Sequence, residues 1–211
     1  PGAVRCCATD GGGGAPTLPL SQTKPELPPW ETGHDARVPP RSADEAPPDL
    51  DTVCAEAAAA VRGGLLRGRR GMRIDVGVPS LDPGSRMYEP AHLARVCLEL
   101  AKDGLAPLDG RVLLLLPGFT TSGAASSLLA DDALGWPAEL RDRVEISALG
   151  LSRPPEDPDA LPAAVIVAGL SSAADSDDPS LRNGRAWLRA APRCAVLCVN
   201  PENFLVEPVD S

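Results

Sequence analysis

The middle of the chain carries Val112-Leu113-Leu114-Leu115-Leu116-Pro117-Gly118. Five aliphatic side chains in succession leave no polar face, and such a strand must be covered on both sides, as the central strands of parallel sheets are. Two further apolar runs, Ala163–Ala168 and Cys194–Val199, have the same character. We therefore expect these three strands at the centre of a mainly parallel sheet.

Outward from these strands, helical and strand patterns alternate along the sequence. Apolar residues at helical spacing predict helices that begin near Asp49, Glu89 and Asp178. Alternating patterns predict strands over 73–78 and 144–148. The succession indicates an α/β fold, a mainly parallel, Rossmann-like sheet of about five strands flanked by helices.

The first 48 residues differ in composition from the rest. Ten prolines and six glycines fall within the first fifty residues. We expect a long irregular N-terminal arm over 1–48, extended or polyproline-like, an α/β domain over 49–204 and a C-terminal tail over 205–211. Such an arm offers too little apolar surface to order by itself, so we expect a partner protein to hold it. The expected anchors are Leu18, Leu20, Leu27 and Trp30.

The charge balance restricts the class of partner. With 29 acidic and 20 basic side chains, the formal net charge is −9. This balance argues against nucleic acid, because phosphates require a basic footprint on the protein. No apolar run approaches the roughly 20 residues of a membrane-spanning helix, so we expect any membrane association to be peripheral.

Basic residues concentrate at the end of the first helix and the start of the first strand. Arg67, Arg69 and Arg70 lie there, between Arg62 and Arg73. Cations near a helix C-terminus stabilise the helix itself, which is one interpretation. The other is an electrostatic contact with an acidic partner or an anionic membrane surface, in which Arg67, Arg69 and Arg70 are partner-binding residues.

The best candidate for a ligand pocket follows the 112–116 strand, because ligands collect beyond the carboxyl ends of strands in open α/β sheets. Thr120, Thr121, Ser122 and Gly123 offer hydroxyls and backbone amides to an anion there. The segment has neither the glycine spacing of a dinucleotide fingerprint nor the lysine of a phosphate loop. Helix capping and close packing are the alternative interpretation.

Residue types suited to catalysis and metal binding are sparse. The histidines are His34, in the arm, and His92, in the first turn of a helix, where a surface or capping role is favoured. Cys194 and Cys198 face one side of a buried strand without a matching ligand pair, so we interpret them as core residues. We expect no metal site, no cofactor and no catalytic residue, and we predict that the protein is not an enzyme.

Several motifs occur together in the domain. They are an alanine-rich helix over 55–66, Arg69–Pro79, Leu93-Ala94-Arg95, the apolar strand leading to Ser122–Ala125, and a late strand ending in Val199-Asn200-Pro201. This combination resembles the plastid domain of unknown function in the low-PSII-accumulation proteins of plants and algae, a domain also fused to a chloroplast adenylate kinase. The resemblance implies a stromal, thylakoid-associated α/β protein linked to photosystem assembly or accumulation.

From the resemblance and the arm, we predict a non-catalytic accessory or assembly protein of the chloroplast. It docks peripherally on the stromal side of a photosynthetic membrane complex, with photosystem subunits as its partners, and a peripheral contact with the membrane fits the same features. The alternative prediction is a nucleotide- or phosphate-binding plastid enzyme that uses the loop after the 112–116 strand.

Overall fold

The computed structural model describes residues 49–83, 85–131, 134–170, 178–190 and 193–200, together with the backbone of a strand over 4–9. The anchors expected in the arm and the expected tail lie outside the described residues. These are Leu18, Leu20, Leu27, Trp30 and residues 205–211.

Strands and helices alternate through most of the described chain. The strands are β1 Val4–Thr9, β2 Gly71–Val76, β3 Val112–Leu116, β4 Val144–Ala148, β5 Ala164–Ala168 and β6 Ala195–Val199. The α-helices are α1 Leu50–Leu66, α2 Pro90–Glu99, α3 Gly118–Ala130, α4 Ala138–Arg143 and α5 Pro179–Arg189. A π-helical turn, Leu100–Gly104, continues α2, and a short 3-10 turn, Pro79–Leu81, follows β2.

The strands form one sheet in the order β1-β2-β6-β5-β3-β4. The five strands from β2 to β4 pair in parallel, and β1 pairs with β2 in the antiparallel sense. The register aligns Leu114 of β3 with Ile166 of β5, and Ile166 with Leu197 of β6. This architecture confirms the predicted α/β fold, and β3, β5 and β6 occupy the centre of the sheet as expected.

Alternate residues of the central strands enter two separate cores. On one face Leu114, Ile166 and Leu197 pack in a cluster with buried residues of α1, α2 and α3. On the opposite face Leu115 and Val167 pack with residues of α5. The result is a three-layer arrangement in which one face has several helices and the other has mainly α5.

Polar side chains of α5 hold the loop that follows β4. The buried side chain of Asn183 donates from Nδ2 to the carbonyls of Leu149 and Gly150, at 3.1 and 3.0 Å. Trp187 donates from its indole nitrogen to the carbonyl of Ser152 at 3.3 Å. These bonds pair the carbonyls of the loop as it crosses the second face.

Both ends of α1 follow standard capping rules. Asp49 is the N-cap, and its carboxylate accepts a bond from the backbone amide of Thr52 at 2.7 Å. At the other end the amides of Gly68 and Arg69 donate to the carbonyls of Leu65 and Gly64, which is a Schellman motif. Gly68 has φ +81°, the left-handed conformation that this motif requires. The chain thereby turns directly from α1 into β2.

Two elements differ from the sequence analysis. Residues 4–9 were expected to lack regular pairing, but they form β1, with Val4 opposite Val76 and Thr9 opposite Gly71. A six-residue edge strand is too short to stand out beside a glycine- and proline-rich segment. The sequence analysis described the residues directly after the 112–116 strand as a loop, but α3 begins at Gly118. Its polar first turn resembles a loop in sequence, and a tertiary contact described below overrides that low propensity.

The described part of the chain holds four free cysteines, and all four are buried. Cys54 and Cys97 lie in the core of the first face, and Cys194 and Cys198 lie in the core of the second, as expected for these two. Burial raises the pKa of the Cys54 and Cys198 thiols to about 12 and that of Cys194 to about 11, and it also raises the pKa of Cys97. These thiols are therefore uncharged in the folded protein near neutral pH.

We predict that stability falls as the pH rises above about 9, the ordinary thiol pKa. The unfolded chain ionises its thiols there, whereas the folded protein does not until pH 11–12, so the stabilisation is complete below pH 9 and is lost on the way to pH 12. At pH 10, each fully buried thiol should lower the free energy of unfolding by about 1 kcal/mol. Urea unfolding between pH 7 and 10 measures this, and Cys198→Ala should reduce the slope. An equal slope in that variant would contradict the explanation.

Candidate functional site

The carboxyl ends of the parallel strands meet at one edge of the sheet, here called the carboxyl edge. The strand order reverses between β3 and β5, because β3 continues to β4 on one side while β5 continues to β6 on the other. In open α/β sheets a ligand-binding crevice lies at this reversal, between helices on opposite faces. The residues that follow β3 and β5 are therefore the expected position of a ligand-binding site.

The chain itself closes this crevice. Gly169, directly after β5, packs so tightly that a Cβ there would lie 2.9 Å from Cγ of Pro117 and 3.1 Å from Cγ of Pro83. Pro117 follows β3, and Pro83 belongs to the loop between β2 and α2. Gly169 also has φ +62°, which favours glycine on its own account. The loop after β2 thus takes the position where open sheets of this kind bind ligands.

Thr120, Thr121, Ser122 and Gly123, the residues predicted to bind an anion, lie in the first two turns of α3. The hydroxyl of Thr121 is buried and shares a 2.8 Å hydrogen bond with the phenol of Tyr88. Burial also raises the pKa of Tyr88 above its usual value. Ser122 donates its hydroxyl to the carbonyl of Gly118 at 2.9 Å. Two of the three hydroxyls are thus used within the protein, while Thr120 is exposed, and the anion site stays a prediction.

Asn200 joins β6 to β2 beyond the end of the regular ladder. Its Oδ1 accepts from the amide of Val76 at 2.6 Å, and its Nδ2 donates to the carbonyls of Val76 and Leu81 at 3.2 and 3.4 Å. Its own amide donates to the carbonyl of Ile74 at 2.8 Å. The side chain therefore imitates one more residue of the strand pair. Its φ of +46° is one that asparagine tolerates better than most residues.

An open cleft of about 580 Å³ lies beside Asn200, at the carboxyl ends of β2 and β6. Its lining includes Asp75, Val76, Val78, Pro79 and Ser85. The volume is within the range of small-molecule pockets. The site at the carboxyl edge is thus displaced from the strand reversal toward the β2 side of the sheet.

A chain of three polar side chains begins at Ser80, the residue after Pro79 of the cleft lining. The Nδ1 atom of His92 lies 3.0 Å from the hydroxyl of Ser80, and its Nε2 atom lies 3.0 Å from a carboxylate oxygen of Glu89. The sequence analysis placed His92 in the first turn of α2 and did not identify Ser80 or Glu89 as partners. The three-residue spacing of Glu89 and His92 at a helix start was the available signal for that pair. No sequence signal indicated the contact between His92 and Ser80, which are 12 residues apart.

The amino ends of the strands form the opposite edge of the sheet, and arginines collect there. The amide of Val196 in β6 donates to the carbonyl of Arg70 at 2.7 Å, which places Arg70 beside the start of β6, and the parallel register of Gly71 with Val196 extends back toward Arg69 and the residues before β6. Arg193 is among those residues. We name Leu66, Arg67, Arg69, Arg70 and Arg193 the amino-edge patch. Arg67, Arg70 and Arg193 are exposed, Arg69 is half-buried, and the side chain of Leu66 is 74% exposed.

The other two arginines of the basic segment have local partners. Arg62 donates from Nε to the carbonyl of Asp103 at 3.0 Å, and Arg73 donates from Nε to both carboxylate oxygens of Asp75 at 2.9 and 3.0 Å. Within the described ranges, Arg67, Arg69, Arg70 and Arg193 form no ion pair with a carboxylate.

The described residues contain neither a metal-binding cluster nor a membrane-spanning helix. Among them, no group of three or more histidine, cysteine, aspartate or glutamate side chains is placed to hold a metal ion. In the same part of the chain, no helix is long and apolar enough to cross a membrane.

We predict that Gly169→Ala destabilises the protein by about 2–4 kcal/mol, because the new Cβ is strained by the positive φ and meets two rigid proline rings. Gly123→Ala is the matched control. Gly123 is in α3 with no atom near its Cβ position, so alanine there should raise stability by up to about 1 kcal/mol. Chemical denaturation of both variants measures the difference. Equal stabilities would refute the closed crevice.

We predict that Asn200→Ala lowers the free energy of unfolding by about 2–3 kcal/mol. The backbone N–H and C=O of Val76 both lose their hydrogen bond to the Asn200 side chain. Asn200→Gly removes the same bonds but accepts the positive φ, so it should be about 1 kcal/mol more stable than Asn200→Ala. Urea unfolding of the two variants separates the hydrogen bonds from the backbone conformation. Wild-type stability of the glycine variant would show that the side-chain bonds contribute nothing.

Comparison with known proteins gives no match to the chain among protein families, curated proteins or solved structures. The resemblance to the plastid family therefore stays an expectation from the sequence motifs. The geometry of the carboxyl-edge cleft and of the amino-edge patch is the basis for a functional proposal.

Proposed function

We propose that the protein docks on an acidic protein surface through the amino-edge patch, as a peripheral accessory or assembly protein. The observation that carries this proposal is the patch itself: its four arginines form no ion pair with a carboxylate among the described residues, and the side chain of Leu66 in the same patch is exposed. Arginine is enriched among the residues that contribute most to protein interfaces. The chain has a net charge of −9 but concentrates these arginines at one corner, which gives that corner a preference for acidic partners.

The strand β1 ends at the same corner. Thr9, the last residue of β1, pairs with Gly71, which directly follows Arg70 in the chain. We propose that the predicted arm provides a second contact with the same partner. Two contacts that are linked in this way act together, because binding at one raises the effective concentration of the other. This geometry supports docking by the arm and the patch on one partner.

The setting of the proposal comes from the sequence resemblance. It places the protein in the chloroplast stroma, associated with thylakoids, and makes the partner a subunit of a photosynthetic membrane complex. The stromal surface of such a complex is the acidic surface that we propose for the patch. Permanent attachment and transient attachment during assembly fit the patch equally.

We predict that Arg69→Gln with Arg70→Gln weakens binding to isolated thylakoid membranes by about tenfold. The matched control is Arg86→Gln with Arg182→Gln, which changes the net charge equally at two exposed positions away from the patch and should bind like the wild type. Raising the salt from 0.15 M to 1 M shortens the screening length from about 8 Å to about 3 Å and should also release the protein. Sedimentation with the membranes measures all three.

Two further measurements identify the partner. Native separation of solubilised thylakoids, followed by mass spectrometry, should find the chain with a photosystem, and a chain without residues 1–48 should lose that association. Vesicles of anionic lipid without protein provide the control for the membrane itself. Binding to these vesicles as strong as to thylakoids would refute an acidic protein partner. Recovery in the soluble stroma alone would refute docking.

A further inference from the structure

Ser80, His92 and Glu89 form a continuous hydrogen-bonded chain at the carboxyl edge. The Ser80 hydroxyl lies 3.0 Å from Nδ1 of His92, and Nε2 of the same ring lies 3.0 Å from the Glu89 carboxylate. The backbone supports this arrangement, because the amide of Glu89 donates to the carbonyl of Ser80 at 2.9 Å. The 3-10 turn that carries Ser80 and the start of α2 are thus fixed against each other without a ligand.

The carboxylate determines which ring nitrogen carries the proton. Glu89 is an acceptor, so Nε2 of His92 donates to it, and in the neutral imidazole Nδ1 is then the acceptor for the Ser80 hydroxyl. This order of groups, hydroxyl to imidazole to carboxylate, is the one that activates a serine nucleophile. The two ring nitrogens have exchanged places relative to the usual serine triad, but the proton follows the same route.

The chain of side chains is accessible, and an open cleft lies beside the residue that precedes Ser80. The side chains of His92 and Glu89 are 37% and 60% exposed, and Ser80 is half-buried. The cleft of about 580 Å³ is lined by Pro79, by the apolar residues Val76 and Val78, and by the acidic residues Asp75 and Asp82. The apolar wall and the two carboxylates together favour an uncharged acyl group over an anionic one.

We propose that Ser80 is an acyl-accepting nucleophile, with His92 as its general base and Glu89 as the residue that positions the imidazole. The substrate class is an ester of a short apolar acid. The Ser80 oxygen bonds to the acyl carbon as its proton passes to Nδ1 of His92, and that proton then leaves with the alcohol as the ester bond breaks. Water repeats the sequence on the acyl-serine and releases the acid. No redox step or additional cofactor is needed.

A fluorophosphonate probe tests the nucleophile directly, because its phosphorus bonds to an activated serine oxygen as fluoride leaves. We expect labelling of the full chain at Ser80, located by peptide mass spectrometry, and loss of that label in Ser80→Ala. Ser127→Ala is the matched control, since Ser127 is an exposed serine of α3 outside the cleft lining. Its label should equal that of the wild type.

The two partner residues are tested by the labelling rate. His92→Gln should lower the rate by about a hundredfold, the usual contribution of a general base. Glu89→Gln should lower it by about tenfold, and Glu89→Asp, which restores a carboxylate, should recover part of the loss. A merely structural Glu89 would not distinguish the last two variants. Urea midpoints equal to that of the wild type confirm that the surface variants remain folded.

Hydrolysis of p-nitrophenyl acetate gives a second readout, with a burst of one p-nitrophenolate per chain as the acyl-serine forms. Absence of label at Ser80 in the wild type overturns the proposal, and so does a His92→Gln labelling rate within twofold of the wild type. Ser80 and the amino-edge patch lie at opposite edges of the sheet, so these results are independent of the docking experiment.

Discussion

Burial of both faces of β3, β5 and β6 is the constraint on which the structure depends. Every residue of these three strands is buried, so each face needs a complete apolar cover. Helices α1, α2 and α3 supply one cover, but on the other face α5 is assisted by a loop. A loop against a core brings backbone carbonyls that need donors, which explains why the polar side chain of Asn183 lies on the buried face of α5. The ring of Trp187 packs in the same core while its indole N–H donates to the loop. The polar residues of α5 thus serve the apolar core.

The same parallel sheet gives its two edges different chemistry. At the carboxyl edge, Pro83 closes the crevice at the strand reversal, and the open cleft moves to the ends of β2 and β6. The loop between β2 and α2 carries both Pro83 and the 3-10 turn with Ser80. The same loop therefore closes the crevice at the strand reversal and positions Ser80 near the cleft at the ends of β2 and β6. At the amino edge, the turn after α1 and the residues before β6 place arginines side by side. Both arrangements follow from the strand order.

The sequence was informative wherever the pattern is local. The apolar runs of β3, β5 and β6 predict buried central strands, and the N-caps Asp49 and Asp178 mark two helix starts, because both signals extend over only a few residues. The start of α3 was missed. The hydrogen bond that holds its first turn joins Thr121 to Tyr88, and these residues are 33 apart in sequence. Arg193 and Ser80 were missed for the same reason. Their neighbours are set by strand register and loop packing, which no single stretch of sequence records.

The position of the arginines also explains how an acidic chain can recognise an acidic surface. At physiological ionic strength charges are screened beyond about 8 Å, so a partner at contact distance senses the amino-edge patch and little of the acidic charge elsewhere on a chain whose total net charge is −9. At longer range the net charge opposes association with an acidic partner, which makes capture depend on orientation. The strand β1 ends beside the patch, because its last residue, Thr9, pairs with Gly71. In the proposed docking, a second, uncharged contact is needed to hold the complex against the long-range repulsion, and the arginines then select the orientation of the complex.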